Sequence, residues 1–265
     1  MSATWNDLLH PGEARDFFSR RPFPVFHPTD SRYNPDNARW LAEFSRLAYR
    51  DPPLPLPLGN HFPANAQVRH TLFVSTATNT QAMLVEFDGE TPFAVLAFRG
   101  TAYGVKNILT DLNVGKITLG NQKVHVHEGF LSALESVWCQ IEPALAQLTC
   151  PLFFTGHSLG AALATLAAAR HVPTALYTFG SPRVGDAAFV DALDGIANRI
   201  HRLVVDDDVV ASLPPLVLGF EHVGVLKILH AAPRHGWGIS GLIHFLTHPA
   251  KPLADHAPIS YVDRT

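Results

Sequence analysis

Residues 152–169, LFFTGHSLGAALATLAAA, change character at one point. The opening run, Leu152 to Thr155, is short and apolar and sits between Pro151 and Gly156, the pattern of a strand buried on both faces. From Leu159 onward the chain is rich in Ala and Leu, the pattern of a buried helix. Between them lies Gly156-His157-Ser158-Leu159-Gly160. A serine at such a strand-to-helix corner can be held on a tight, strained turn. Side chains two residues before and after it would crowd that corner, and glycine relieves the crowding. The helix that starts beside the serine also brings its positive end close, which favours developing negative charge. The plain alternative is a glycine turn with an idle serine. The rest of the chain decides between them, because a serine hydroxyl needs a histidine as base and a carboxylate to orient that histidine.

The chain has 265 residues, of which 47% are hydrophobic and only 16% charged. That composition describes a globular chain with a sizeable core. The formal charge of −3, without any run of Lys and Arg, argues against nucleic-acid binding. Cys139 and Cys150 would lie about 16 Å apart on one helix, which predicts free thiols. No uninterrupted apolar run reaches about 18 residues, so no transmembrane helix is expected. The N-terminal stretch MSATWNDLLHPGEARDFFSR lacks a basic region followed by an apolar one, and the expected location is cytoplasmic, with secretion by another route as the alternative.

Around the central stretch the elements alternate. Residues 36–49 carry Trp40, Leu41, Phe44, Leu47 and Ala48 on one helix face. The stretch 51–57, DPPLPLP, is loop. Residues 71–75, 82–87 and 93–98 read as strands, with Asp88-Gly89 as a turn between the last two. A short strand at 124–127 precedes a helix over 129–148. After residue 150 strands at 174–180 and 199–205 alternate with helices, the last over 185–197. This pattern predicts one α/β domain over 1–265, a mostly parallel central sheet with helices on both faces, and 1–35 as a peripheral segment.

Downstream of Ser158 the sequence offers acids and bases in the required order. Asp206, Asp207 and Asp208 follow directly on a strand. Three adjacent carboxylates sharing one dry pocket would repel one another, so at most two point inward. Late histidines are His244, His248 and His256. The chain has fifteen histidines, so position alone does not choose among them. His125, His127, His244 and His248 have spacings compatible with zinc, but without a cysteine or carboxylate cluster beside them no metal is expected.

An ordered series of motifs resembles the class 3 lipase family, the fungal-type triacylglycerol lipases of the α/β-hydrolase superfamily. LAFRGT (96–101), NILTDLN (107–113), VHEGF (126–130), TGHSLGAALA (155–164), YTFGSPRVGD (177–186), DDVVASLPP (207–215), FEHVG (220–224) and DHAPISY (255–261) match family elements in sequence order. The resemblance implies an α/β-hydrolase fold and a Ser158–His256–Asp208 triad, with Asp207 as the alternative acid. It implies an oxyanion hole from Leu159 and Thr101, whose donors are worth about 3–4 kcal/mol each. Thr101 has a second reading as a helix N-cap. The segment after Thr101 matches the family's lid, and Tyr103, Val105, Ile108, Leu109 and Leu112 form its apolar set. Family members often carry tryptophan where Ile108 stands. The implied activity is hydrolysis of acylglycerols or related lipid esters at a lipid–water interface, without cofactor. Phospholipase A1, thioesterase and feruloyl-type esterase activities are the enzymatic alternatives, and a non-catalytic lipase-like scaffold is the other. The apolar stretch 214–248 is read either as a pocket rim or as edge strand, loop and core helix.

Overall fold

The computed structural model describes residues 3–50, 67–100, 115–119, 123–230 and 248–265. Seven strands form the main sheet: β1 (Gln67–Ser75), β2 (Thr80–Asp88), β3 (Phe93–Phe98), β6 (Leu152–His157), β7 (Ala175–Phe179), β8 (Ile200–Val205) and β9 (Val225–Leu229), in the order β1-β2-β3-β6-β7-β8-β9. β1, β2 and β3 pair antiparallel, and from β3 to β9 all pairs are parallel. A separate two-stranded ribbon joins β4 (Lys116–Thr118) to β5 (His125–His127).

The sheet is apolar on both faces because successive side chains of a strand point to opposite sides. In β3, Val95 and Ala97 enter one core while Ala94, Leu96 and Phe98 enter the other, and in β6 Phe153 and Phe154 divide in the same way. The first core is closed by α1 (Trp5–Leu9), α2 (Pro35–Leu47), α6 (Lys251–His256) and α7 (Pro258–Val262), and the second by α3 (Glu128–Leu145) and α4 (Leu159–Ala168). α2 begins where Asn34 accepts hydrogen bonds from the N–H groups of Asp36 and Asn37, with Pro35 in its first turn, a strong start signal. In α4 every residue from Gly160 to Ala168 is buried, which explains its small side chains.

One element differs from the sequence expectation. The helix expected over 185–197 ends early. α5 (Ala187–Ala192) is capped by Asp186, and a 3-10 turn over Asp194–Arg199 follows. Gly195 falls in that turn, where a helix interior would disfavour it. The N-terminal segment sends Phe17 and Phe18 into the first core. β9 forms the sheet edge inside the stretch 214–248, where edge strand is one of the two sequence readings.

β6, β7 and β8 run parallel and in register at their carboxyl ends, where His157 lies opposite Phe179, and Phe179 opposite Leu203. The residues that follow them, Ser158, Gly180 and Asp206–Asp208, therefore emerge along one edge of the sheet, the usual place for a site in such folds.

Candidate active site

Ser158 occupies the corner between β6 and α4 with φ +59° and ψ −126°. A non-glycine residue there is strained by about 1–3 kcal/mol and persists only where its surroundings enforce it. Here they do. The Ser158 N–H donates to the Phe179 carbonyl at 2.9 Å, and the Ser158 carbonyl accepts from Ala161 at 3.0 Å. The flanking glycines are steric necessities. A Cβ on Gly156 would lie 2.3 Å from the Gly160 carbonyl carbon, and one on Gly160 would lie 2.2 Å from the Phe98 oxygen. The spacing Gly-x-Ser-x-Gly is thus the closest approach of helix, strand and turn written in sequence.

The Ser158 hydroxyl lies 3.0 Å from His256 Nε2. Nδ1 of the same ring faces both carboxylate oxygens of Asp208, at 2.9 and 2.8 Å. All three residues are buried. A carboxylate accepts only, so Nδ1 carries hydrogen and Nε2 is left to accept from the serine. Asp208 also accepts at Oδ1 from the Val210 N–H at 2.9 Å and at Oδ2 from the Tyr261 hydroxyl. Burial alone would raise the Asp208 carboxyl, but the electrostatic influence of the adjacent His256 and the hydrogen bonds from His256 and Tyr261 outweigh it and hold the group below its ordinary value. Tyr261 moves the other way. Burial, then the adjacent Asp208 charge, raises its phenol well above 10 and keeps it a donor.

The other sequence candidates separate in space. Asp207 turns outward to Lys251 Nζ at 2.5 Å, and Asp206 lies 3.0 Å from His230 Nδ1. The three adjacent acids are thereby distributed, one inward and two outward. His248 precedes α6, and it is His256 at the end of that helix that meets the serine. Leu159 opens α4, so its N–H has no carbonyl four residues earlier within the helix and stands beside Ser158. Thr101, His244, Tyr103, Val105, Ile108, Leu109 and Leu112 lie outside the described residues. Of the histidines weighed as metal ligands, His125 binds Asp186 at 2.8 Å and His127 stacks on Phe130 at 4.0 Å. Among the described residues no three His, Cys, Asp or Glu gather as a metal site.

Four residues at the site escaped the reading of individual positions. Tyr261 and Gly180 sat inside quoted motifs without a role. Gly180 has φ +59°, and a Cβ there would lie 2.6 Å from Asp208 Oδ2 and 3.0 Å from His256 Nδ1. His157, the variable residue before the serine, and Tyr49, at the end of the α2 region, lie directly behind His256. A glycine inside a strand-end motif was the one available signal for a crowded backbone.

Residues 95–218 match the family described as lipase (class 3). A secreted mono- and diacylglycerol lipase from Fusarium solani is 38% identical over 149 residues, which are 52% of this chain and 44% of that protein. A secreted mono- and diacylglycerol lipase from Penicillium cyclopium is 36% identical over 169 residues, 60% of this chain and 54% of that protein. The chain spans about half the length of these curated relatives. Among solved structures, a triacylglycerol lipase described as having a serine protease triad as its catalytic centre superposes with a TM-score of 0.55 at 28% identity, over 60% of this chain and 65% of that one. The fold is that of the α/β hydrolases. The expected cytoplasmic location is corrected by the same comparisons, because both curated relatives are secreted proteins. The composition of the first twenty or so residues was a poor guide to compartment in a chain that covers only part of its relatives. Among the described residues no helix is long and apolar enough to cross a membrane.

Proposed function

We propose, from the premise that the chain belongs to the class 3 lipase family, that it is a serine carboxylic-ester hydrolase acting on acylglycerols or related lipid esters. The observation that carries this reading is the buried chain of hydrogen bonds from Ser158 Oγ through His256 to Asp208, at 3.0 and 2.8 Å, on a strained serine. In this reading Ser158 Oγ attacks the ester carbonyl while His256 Nε2 takes its proton. The same proton passes to the leaving alcohol, and water then releases the acyl group from Ser158. Asp208 orients the ring and stabilises the imidazolium. Leu159 and Thr101 are the donors assigned to the oxyanion.

The reading takes 1–265 as one domain with 1–35 as its peripheral segment, supported by the ion pairs Asp16–Arg46 and Arg20–Asp263 that tie both chain ends to the core. It takes the site of action as extracellular, by analogy with the secreted relatives. It also includes contact with a lipid–water interface, supported by an apolar turn on the loop that leaves Asp208: Leu216, Val217 and Leu218 are exposed, and Ile117 of β4 is exposed as well.

The test is reaction with a fluorophosphonate followed by mapping of the adduct. Stoichiometric modification of Ser158 is expected, and a protein that stays unmodified defeats the hydrolase reading. Hydrolysis of acyl esters of increasing chain length, with triglyceride and phospholipid emulsions, then separates acylglycerol lipase from phospholipase A1, thioesterase and feruloyl-type esterase activities.

A further inference from the structure

His256 is the last residue of α6, a helix of six residues, and Ala257 leaves it in extended conformation with φ −60° and ψ 136°. The His256 carbonyl therefore has no N–H four residues on within the helix to receive. A base carried on so short an element has few main-chain restraints of its own. The partner of that carbonyl comes from the nucleophile's own turn. His157 Nε2 lies 2.6 Å from the His256 oxygen. A carbonyl only accepts, so Nε2 carries the hydrogen and Nδ1 of the neutral ring is an acceptor. Nδ1 lies 2.8 Å from the Tyr49 hydroxyl, which supplies its hydrogen. The assembly is closely covered: a Cβ on Gly100 would lie 1.9 Å from the Tyr49 oxygen and 2.7 Å from the His157 carbonyl oxygen.

We propose that Tyr49 and His157 are a positioning relay for the base, in which Tyr49 O–H donates to His157 Nδ1 and His157 Nε2–H donates to the His256 carbonyl, holding the imidazole of residue 256 at its distance from Ser158. This rests on the reading of His256 as the base. Neither relay residue touches substrate. Adjacent residues of one turn then govern both partners of the proton transfer, Ser158 meeting the ring of His256 and His157 meeting its main chain. The relay also requires His157 to stay neutral, because its ring centroid is 4.6 Å from that of His256, which becomes cationic during the reaction. The surroundings meet this requirement. His157 is faced by Tyr49 after α2, His256 from α6 and Tyr261 from α7, with the Asp208 carboxylate beyond His256. Burial, then the neighbouring His256, holds its imidazole down to about 3, and burial raises the Tyr49 phenol despite nearby Arg99, so Tyr49 remains a donor.

The test compares Tyr49→Phe, His157→Phe and His157→Gln with the parent protein. Small misplacements of a base cost about 10²-fold in rate, so His157→Phe is expected to lower kcat by about 10- to 100-fold with KM within about twofold of the parent. His157→Gln, whose amide can donate to the His256 carbonyl, is expected to recover most of that loss, which a merely structural role would not produce. Independently of activity, ¹⁵N imidazole spectra of the parent are expected to show His157 as the neutral Nε2–H form, unchanged from pH 5 to 8. Tyr49→Phe, which deletes one oxygen, is expected to release that preference and to lower kcat. A parental kcat in both His157→Phe and Tyr49→Phe overturns the relay, as does a spectrum in which His157 carries hydrogen on Nδ1. Should His157→Phe not fold, Tyr49→Phe and the spectra decide. If the parent neither reacts with fluorophosphonate nor hydrolyses esters, the hydrolase reading falls while the spectra still decide the hydrogen-bond relay.

Discussion

The Tyr261 hydroxyl donates to Asp208 Oδ2 and accepts from the Val205 N–H at 3.3 Å, so the end of β8, the inward acid and the C-terminal helix meet at one oxygen atom. Tyr261→Phe deletes that oxygen without changing the ring. A hydrogen bond to a charged group contributes about 1.5–3 kcal/mol, but His256 and Val210 continue to serve the carboxylate. A fall in kcat/KM of about tenfold is therefore expected. The sign of the pH effect follows. Burial raises the Asp208 carboxyl and its donors lower it, so removing one donor moves it upward. The variant should lose activity on acidification at a higher pH than the parent. Profiles of kcat/KM between pH 4 and 8 measure this, and superimposable acid limbs would refute it.

Gly180→Ala should abolish activity out of proportion to its effect on stability. The added methyl would stand 2.6 Å from Asp208 Oδ2, 3.0 Å from His256 Nδ1 and 3.0 Å from the Tyr261 oxygen, and the φ of +59° is unfavourable for alanine. Relief comes only by moving the carboxylate or the imidazole, since strand β7 fixes the backbone behind Gly180. Overpacking of this kind costs about 1–3 kcal/mol, whereas a displaced base costs about 100-fold or more in rate. Thermal unfolding and ester hydrolysis measured on one preparation separate the two effects. A variant that keeps parental kcat would show that the site tolerates the shift.

These residues also mark how far the sequence could be read. The strand–turn–helix at Ser158 was legible because close backbone approach leaves glycines at fixed spacing, and the parallel sheet because both faces are buried, giving short apolar runs between helices. The inward acid was not legible from pattern: Asp206, Asp207 and Asp208 are equivalent until Lys251 and His230 draw two of them outward. Tyr261 and His157 were invisible as individuals because their partners are a carboxylate and a main-chain carbonyl far along the chain. Hydrogen bonds at such separation leave no periodicity. The helix at 187–192 was overextended because apolar spacing continued past the point where Gly195 and a tight turn ended it.

Acid should destabilise the protein from about neutrality downward. His157 is held from its ordinary 6.5 down to about 3, so below 6.5 the unfolded chain binds a proton that the folded one refuses. The folded-state value is depressed, so its stabilisation is present above 6.5 and is lost as the pH falls toward 3. One such proton corresponds to about 1.4 kcal/mol per pH unit. Burial lowers His127, His201 and His222 in the same direction, His222 to about 4. Urea midpoints should therefore decline steeply between pH 7 and 4, and His157→Gln should flatten the decline by about the slope of one proton. An equal slope in parent and variant would show that His157 is protonated in the folded state.

The exposed turn on the loop leaving Asp208 provides the last prediction. Val217 is 89% exposed and Leu216 63%, an arrangement that contributes nothing to the core. Lys116 Nζ donates to the Gly219 carbonyl at 3.0 Å and lies 4.9 Å from the Phe220 ring centroid, which brings Ile117 of the β4 ribbon beside the same turn. Burying one such side chain in an acyl phase is worth about 1.5–3 kcal/mol. If the turn meets the lipid surface, Leu216→Asp with Val217→Asp should reduce co-sedimentation with phosphatidylcholine vesicles and hydrolysis of emulsified triglyceride by about tenfold or more. Hydrolysis of a soluble short-chain ester should be unchanged, because neither residue is part of the catalytic machinery. Equal losses on both substrates would assign the turn to the active site's structure instead, and no loss on either would leave it without an interfacial role.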